Sequence, residues 1–326
     1  MPSHNIQTGT TSASEKQSFF GRLAGLYHFL GDRTPRDIDI VPPRPRKENL
    51  FRKDGAVLVS KVQSGQNLKA SVAKAVGLIG GLNRVIAAGD RVLLKPNFNS
   101  ADPYPGSTDL EFLKAVIQIL LEARAKVVVG ESSGGIWRPT RKTLEKAGVL
   151  KLVTEMGAEI VAFEHRKRDW VRVRVDGDYL KEVTVPRSAY EADKIIYLPC
   201  MKTHRLARFT LSLKLGVGFM HPGERRALHF RNLEHKVAEI NLVWQPDLII
   251  MDGRQAFVSG GPDKGELVEP GVIMASGDLV AIDVEALKIL GSYKAKNKLF
   301  ANPYDSPQIV TALRHGLGAR EYRVVA

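Results

Sequence analysis

From Ala56 onward the chain alternates short β-branched apolar runs with segments whose apolar residues recur every three or four positions. Short apolar runs predict buried strands, and the three-to-four spacing predicts helices that pack on a sheet. This alternation is typical of an α/β protein, so we predict a mostly parallel or mixed sheet with flanking helices. The predicted strands are 56–62, 91–95, 126–129, 195–198, 247–252 and 272–275, and the predicted helices are 67–79, 109–123, 233–244 and 278–290.

The middle of the chain has a different pattern. Residues 171–175 alternate strictly between valine and arginine, and Asp176-Gly177-Asp178 has turn composition before a second run at 180–185. Strict alternation around such a turn predicts a β-hairpin. We therefore expect a small β-hairpin insertion, and the pattern fits either one sheet or two α/β halves joined near it.

The first part of the chain is predicted to lie apart from this fold. Residues 1–53 read as a basic N-terminal extension and linker, and residues 54–326 as the α/β domain. One helical face of the extension is apolar, and packing on the protein's own body is favoured over docking on a partner or a membrane surface. That face consists of Phe19, Leu23, Leu26 and Leu30.

Composition narrows the class of protein. The chain has 326 residues, 44% of them hydrophobic, which is enough for a large core. A net charge of +13 attracts nucleic acid, anionic membranes or acidic substrates without choosing among them. The single cysteine, Cys200, predicts no cysteine-ligated iron–sulfur cluster within the chain. No apolar run is long enough to be a transmembrane segment and no secretory signal is present, so we expect a cytoplasmic protein.

The segment 199–235 follows a predicted strand directly and holds four of the eight histidines. It also carries seven Lys or Arg against two Glu, so its cations are expected to converge on a small anion. His204 lies next to cations that lower its pKa and keep it neutral as a base. Lys214 lies between two leucines, where desolvation suits an electrostatic clamp or a nucleophile. We therefore predict His204 and Lys214 as catalytic residues, although any one histidine alone is better explained as a capping or packing residue.

Other polar residues follow the ends of predicted strands, where open α/β sheets bind their ligands. Loop amides and serines there either bind a carboxylate or phosphate or merely satisfy backbone groups. The predicted substrate-binding residues are Lys95, Asn97, Asn99, Ser132, Ser133, Lys202 and Thr203.

A divalent metal is a further expectation. Asp252 ends a predicted strand and Glu131 follows another by two residues, and with His221 they offer a mixed nitrogen and oxygen ligand set. A cap or a salt bridge would explain either acid singly. The spacings of eight and six between His221, His229 and His235 fit no zinc-finger pattern.

Six motifs lie at or near the ends of the predicted elements. They are Lys95-Pro96-Asn97; Gly130 to Gly135; Lys202-Thr203-His204 with Thr210, Lys214 and Gly218; Asp252-Gly253; Gly261-Pro262 with Gly265; and Ala281-Ile282-Asp283. In this order they resemble the uncharacterised family called domain of unknown function 362, over roughly residues 56–292. Many relatives carry an added ferredoxin-like module with cysteine clusters, which this chain lacks.

A fainter resemblance is to the N-terminal region of the nickel-pincer lactate racemases, in which a histidine, a lysine and a Pro-Gly loop follow a strand. His204, Lys214 and Pro222-Gly223 lie in that order here. The resemblance suggests common ancestry. Because the spacing and the glycine pattern differ, we assign no nickel cofactor from it.

Two classes of function remain from the sequence. The first is an enzyme that acts on a small anionic metabolite by histidine- and lysine-assisted proton transfer, as in an isomerase or an oxidoreductase. The alternative is a non-catalytic protein that binds nucleic acid or a partner through its basic surface. Glycine-rich loops at successive strand ends favour the small-molecule cleft.

Overall fold

The structure is a computed structural model that describes residues 34–134, 139–165 and 169–326. The predicted apolar face at 19–30 and the end of the loop at 130–135 lie outside these ranges. The strands are β1 (Ile40–Val41), β2 (Arg52–Lys53), β3 (Ala56–Gln63), β4 (Arg91–Lys95), β5 (Lys126–Glu131), β6 (Glu159–Ala162), β7 (Trp170–Arg174), β8 (Glu182–Pro186), β9 (Lys194–Tyr197), β10 (Cys200–His204), β11 (Arg208–Thr210), β12 (Leu248–Gly260), β13 (Gly265–Val268), β14 (Val272–Ser276) and β15 (Tyr322–Val325).

Helices connect most of these strands. Short 3₁₀ turns occur at Leu82–Arg84, Phe163–His165, Gly216–Phe219, Ile240–Leu242 and Pro303–Asp305. The α-helices are α1 (Leu68–Leu78), α2 (Leu110–Glu122), α3 (Thr140–Lys146), α4 (Val149–Glu155), α5 (Arg187–Tyr190), α6 (Ser212–Leu215), α7 (Pro222–Leu228), α8 (Leu233–Glu239), α9 (Leu279–Ser292) and α10 (Pro307–Arg314). Within the described ranges, every helix is too short or too polar to traverse a lipid bilayer.

Strands from before the predicted hairpin and strands from after it belong to one mixed sheet. Its strands follow the order β15-β3-β14-β12-β9-β4-β5-β6, and β2, β10, β11 and β13 pair with members of that path. β14 runs antiparallel to both of its neighbours, whereas β12, β9, β4, β5 and β6 are mutually parallel. The hairpin β7–β8 forms a separate three-stranded sheet with β1. The predicted α/β class, flanking helices and hairpin insertion are confirmed.

Both faces of the sheet are buried, which explains why its strands read as nearly continuous apolar runs. In β4, Val92 and Leu94 belong to one hydrophobic cluster while Leu93 belongs to the other, because successive side chains point to opposite faces. Helices α1 and α2 cover the face of Val92, and α9 covers the face of Leu93. Polar groups therefore lie at the edge of the sheet that the carboxyl ends of the parallel strands form.

The order in which the chain adds strands to the sheet changes direction next to β4. The chain passes from β4 to β5 on one side, whereas β9, which comes later in the sequence, pairs with β4 on the other side. The loops after these parallel strands diverge and open a crevice at their carboxyl ends. Lys95 and Glu131 are the last residues of β4 and β5, so the fold places both at this crevice.

The largest departure from the predicted elements is β12. The apolar run was expected to end as a strand at residue 252, but β12 continues to Gly260. Its first half pairs with β9 and β14, and its second half pairs with β10 and β13. The polar residues Arg254 and Gln255 interrupt the apolar pattern, so only pairing with other strands reveals the extension.

Helix ends also differ from expectation. The helix predicted at 233–244 is α-helical only to Glu239, and a 3₁₀ turn completes it. The N-cap of α2 is Asp109, whose carboxylate accepts from Phe112 N at 2.9 Å.

Gly261 holds the β12–β13 turn against the end of β10. Its φ of +51° lies in the left-handed region, and a Cβ there would lie 1.9 Å from the carbonyl oxygen of Thr203. The backbones therefore approach each other more closely than any side chain allows, directly beside His204.

We expect Gly261→Ala to lower the free energy of unfolding by ~1–3 kcal/mol more than Gly55→Ala, measured by chemical denaturation. Gly55 is the matched control because its φ is +78° and no atom lies within 4 Å of a built Cβ. Both variants place alanine at positive φ, so the difference measures the contact with Thr203. Equal losses would show that this contact is not tight.

Candidate functional site

Lys95 and Glu131 form a buried ion pair that joins the ends of β4 and β5. Their side chains are 1% and 2% exposed. The Lys95 ammonium donates to the Glu131 carboxylate and to the carbonyl of Pro96 at 2.7 Å. Glu131 also accepts from the backbone N–H of Phe98 at 2.7 Å and of Ser132 at 2.8 Å. The pair is thus enclosed by protein donors and acceptors, and burial lowers the pKa of Lys95 although Glu131 opposes that shift.

The neighbouring loop residues mostly join the two strand ends. Asn99 lies against Gly134, where a Cβ would come within 2.2 Å of its side-chain oxygen. Ser133 donates its hydroxyl to the carbonyl of Phe98 at 2.6 Å. By contrast, the buried hydroxyl of Ser132 has no hydrogen-bond partner in the part of the chain that the structure describes.

Asn97 and Thr203 are likewise tied to the fold. The Asn97 N–H donates to the hydroxyl of Thr108 at 2.7 Å, and its side chain bonds to Cys200. Thr203 donates to the carbonyl of Phe257 at 3.1 Å. The proposed roles of these residues in binding substrate stay predictions.

Arg225 brings a further cation to this crevice and is not among the residues predicted for the site from the sequence. Its guanidinium donates to four carbonyls: Met220 at 2.9 Å, Ser132 and Ser133 at 2.9 Å, and Gly218 at 3.1 Å. These bonds tie the segment after α6 to the loop after β5. The charge of a buried arginine is thereby fixed next to the other cations.

Lys202 is a second buried cation, on β10. It is 2% exposed and donates to the carbonyl of Gly106 at 2.6 Å. In the described ranges no carboxylate lies within 4 Å of its ammonium. Burial is the main cause of its lowered pKa. The charges of Asp102 and Asp263 favour the ammonium from a distance, but a buried ammonium without a bonded carboxylate is costly in a folded protein, so its surroundings are a candidate anion site.

Lys214 lies in α6, a single helical turn that side chains from other segments hold in place by hydrogen bonds. Asp283, fully buried in α9, accepts from Ser212 N at 2.8 Å, from Ser212 Oγ at 2.6 Å and from Leu213 N at 3.0 Å. Asn241 donates its side-chain amide to the carbonyl of Leu213 at 2.9 Å. The short helix would otherwise be marginal, so these bonds set the direction of Lys214.

The ammonium of Lys214 forms no hydrogen bond or ion pair with any of the described residues. Burial lowers its pKa to about 8, and the charges of Lys202 and Arg225 add to that effect. A lysine of this kind is a cation at neutral pH with an appreciable neutral fraction. It can therefore hold an anion or exchange a proton.

His204 ends β10 beside these lysines. Its Nδ1 accepts from the backbone N–H groups of Leu206 and Ala207, both at 3.1 Å. Burial, followed by the charges of Lys214 and Lys202, lowers its pKa to about 2. The ring is therefore neutral with its proton on Nε2, as the bonds to Nδ1 dictate. It presents an N–H donor, whereas the sequence predicted a base.

The three predicted metal ligands lie in separate hydrogen-bond networks. Asp252 accepts from the hydroxyl of Tyr104 at 2.8 Å and pairs with Arg254 at 2.8 Å. His221 accepts from Gly223 N at 3.1 Å, and Glu131 is paired with Lys95. A metal at these residues stays a prediction.

A different group of possible ligand atoms lies within 4.8 Å of one another: those of Asp178, Glu239 and His315. Glu239 accepts from the backbone N–H groups of Asp178, Tyr179 and Leu180, and Arg314 pairs with Asp178. These partners explain the group as a cap on the turn after β7, which satisfies the acids without a metal.

The depressed pKa of Lys214 predicts how its reactivity depends on pH. Only the neutral amine is acylated, so labelling by an acylating reagent should be half-maximal near pH 8. Free N-acetyl-lysine added as a reference should be labelled half-maximally near pH ~10. Mass spectrometry at a series of pH values measures both. Coincident profiles would contradict the electrostatic description of the site.

Asp283→Ala should lower the free energy of unfolding by roughly 2–4 kcal/mol, because it leaves the buried N–H groups of Ser212 and Leu213 without an acceptor. Asp283→Asn keeps one acceptor and should lose less. Chemical denaturation of the two variants tests this anchor. A loss below about 1 kcal/mol for the alanine variant would show that α6 does not depend on it.

Comparisons with known proteins place the chain in a family. The thylakoid-associated protein sll1697 of Synechocystis is 30% identical over 248 residues, which are 73% of this chain and 74% of that protein. The lactate racemase apoprotein from Thermoanaerobacterium thermosaccharolyticum aligns with 76% of this chain at 12% identity and a TM-score of 0.36, and the chain spans 60% of that structure. A TM-score this low does not establish a shared fold.

The family model described as domain of unknown function (DUF362) matches residues 92–288, which include Lys95, Glu131, Lys202, His204 and Lys214. The resemblance seen in the loop motifs is therefore confirmed, and the chain belongs to the DUF362 family.

Proposed function

We propose that this protein is an enzyme that binds a small anionic metabolite between Lys214 and His204 and transfers a proton to and from it. The observation that carries the proposal is the Lys214 ammonium, which has no counter-ion among the described residues although Lys202 and Arg225 lie close enough to lower its pKa. A ligand carboxylate would supply the missing negative charge.

The excess of positive charge supports an anion over a neutral ligand. Lys95, Lys202, Lys214 and Arg225 bring positive charge to this crevice. Of the nearby carboxylates, Glu131 is bonded to Lys95, and Asp102 and Asp263 act on Lys202 from beyond ion-pair distance. An anion that enters this low-dielectric crevice interacts with several fixed cations at once. The same cations would repel a cationic ligand.

The hydrogen bonds of His204 define its part in the chemistry. With Nδ1 occupied by two amides, its Nε2–H can donate to an oxygen of the ligand. Such a donor stabilises the enolate-like oxygen that forms when a proton is removed beside a carbonyl or carboxylate. Lys214, as a neutral amine, accepts that proton and returns it as an ammonium. This sequence of steps serves an isomerase or one half-step of an oxidoreductase.

Two further expectations from the sequence stay predictions. One is a divalent metal or another cofactor, and the other is a cytoplasmic location. The Synechocystis relative is named as a thylakoid-associated protein. Binding of nucleic acid or a partner through the basic surface is the alternative function.

Proton exchange into a bound ligand tests the proposal. A panel of small 2-oxo and 2-hydroxy carboxylates would be incubated with the protein in D₂O, and loss of the proton beside the carbonyl or carboxylate followed by NMR. We expect catalysed exchange for at least one member of the panel. Lys214→Ala should abolish exchange and weaken binding by about 10- to 100-fold, since a charged hydrogen bond is lost. Lys74→Ala removes the same charge from an exposed helix position and should change neither.

His204→Gln separates a donor from a base. Glutamine keeps an N–H near the position of Nε2 but cannot accept a proton at neutral pH. We expect it to retain part of the exchange rate that His204→Ala loses. Equal loss in both variants would point to a base at this position, and unchanged exchange in Lys214→Ala would refute the proposal.

A further inference from the structure

The two most exposed large apolar side chains in the described ranges lie on one face. Leu206, between β10 and β11, is 67% exposed, and Phe230, after α7, is 77% exposed. Both line the same open cavity of about 390 Å³. Phe300 belongs to this face as well, because Arg208 lies 4.4 Å above its ring and pairs with Glu234, which lines that cavity.

Exposed cations flank this apolar group. Lys294, Lys296 and Lys298 alternate with half-buried residues in the segment that leads to Phe300, so all three ammonium groups face solvent. Lys298 donates to the carbonyl of Arg205 at 3.3 Å, which places it directly beside Leu206.

None of these three lysines forms an ion pair within the part of the chain that the structure describes, and the same holds for Arg231, which follows Phe230. Within the described ranges the face thus combines exposed apolar side chains with positive charge that no carboxylate pairs with. Soluble surfaces seldom expose such a group without a partner.

We propose that this face, defined by Leu206, Phe230, Phe300 and Lys294, Lys296 and Lys298, binds the surface of an anionic lipid bilayer. The apolar side chains enter the boundary between headgroups and acyl chains, and the lysines meet the anionic headgroups. A nucleic acid would match the lysines, but it offers no apolar environment for Leu206, and a leucine cannot stack on bases as aromatic residues do.

The contact has a consequence for the candidate site. Leu206 follows His204 by two residues and donates its N–H to the His204 ring. Membrane binding at Leu206 therefore brings the crevice next to the lipid headgroups. The inference stands independently of the proposed proton transfer.

Sedimentation with vesicles tests it on the full chain. The wild-type protein should bind vesicles of phosphatidylcholine mixed with phosphatidylglycerol and bind pure phosphatidylcholine far more weakly. The double variant Leu206→Ser/Phe230→Ser should bind the mixed vesicles at least about tenfold more weakly, from the apolar burial that is lost. Replacing Lys294, Lys296 and Lys298 by Gln should weaken binding on the order of a hundredfold at low salt.

Matched controls separate this face from general charge and hydrophobicity. Ile40→Ser/Val324→Ser removes two exposed apolar side chains elsewhere, and Gln at Lys126, Lys142 and Lys146 removes three exposed charges elsewhere. Both controls should bind vesicles like the wild type, and thermal melting should show every variant folded, since all these positions are exposed. The inference is overturned if the wild type does not bind the mixed vesicles, if the Leu206/Phe230 variant binds them unchanged, or if the protein instead binds duplex DNA with an affinity independent of Leu206 and Phe230.

Discussion

The buried pair of Lys95 and Glu131 is the interaction on which the rest of the crevice depends. It closes the ends of two adjacent parallel strands, and each partner is almost fully removed from water. Two such charges are tolerated only because the carboxylate also accepts two backbone N–H groups and the ammonium also donates to a carbonyl. Gly218 packs on the pair, where a Cβ would lie 2.5 Å from the Lys95 side chain. The segment that carries Lys214 is thus built against this pair.

Once Glu131 is bonded to Lys95, neither Lys202 nor Lys214 forms an ion pair with a carboxylate of the described residues. Lys202 is bonded to a carbonyl and Lys214 to no described group. Burial destabilises the charged forms and is the main reason that the pKa values of both lysines fall, and the charge of Lys202 lowers the pKa of Lys214 further. The stability lost here is the kind that functional sites commonly tolerate, because a bound anion restores it. His204 remains neutral in the same field and contributes a dipole instead of a charge.

Much of this arrangement follows from local sequence. The apolar runs ending at Lys95 and near Glu131 identify two parallel strands, and the rule that parallel strands carry ligands at their carboxyl ends places both residues at one edge. Lys214 stands out because it lies between two leucines, and His204 because cations lie next to it shortly after a predicted strand. The DUF362 motifs are recognisable because polar and glycine residues interrupt the apolar pattern at or near the ends of the predicted elements. Arg225 could not be singled out in this way, because one arginine among several in a basic helix has no local signal.

The sequence by itself determined the α/β class, the hairpin, most strand positions and the candidate residues, because apolar periodicity and turn composition act over a few neighbouring residues. Tertiary structure decided which polar groups neutralise one another. Glu131 pairs with Lys95, 36 positions away, and Asp283 anchors the turn of Lys214 from 69 positions away. It also decided that Nδ1 of His204 is an acceptor and that β12 extends to Gly260. Hydrogen bonds and burial between distant segments set these outcomes, and no periodicity along the chain encodes them.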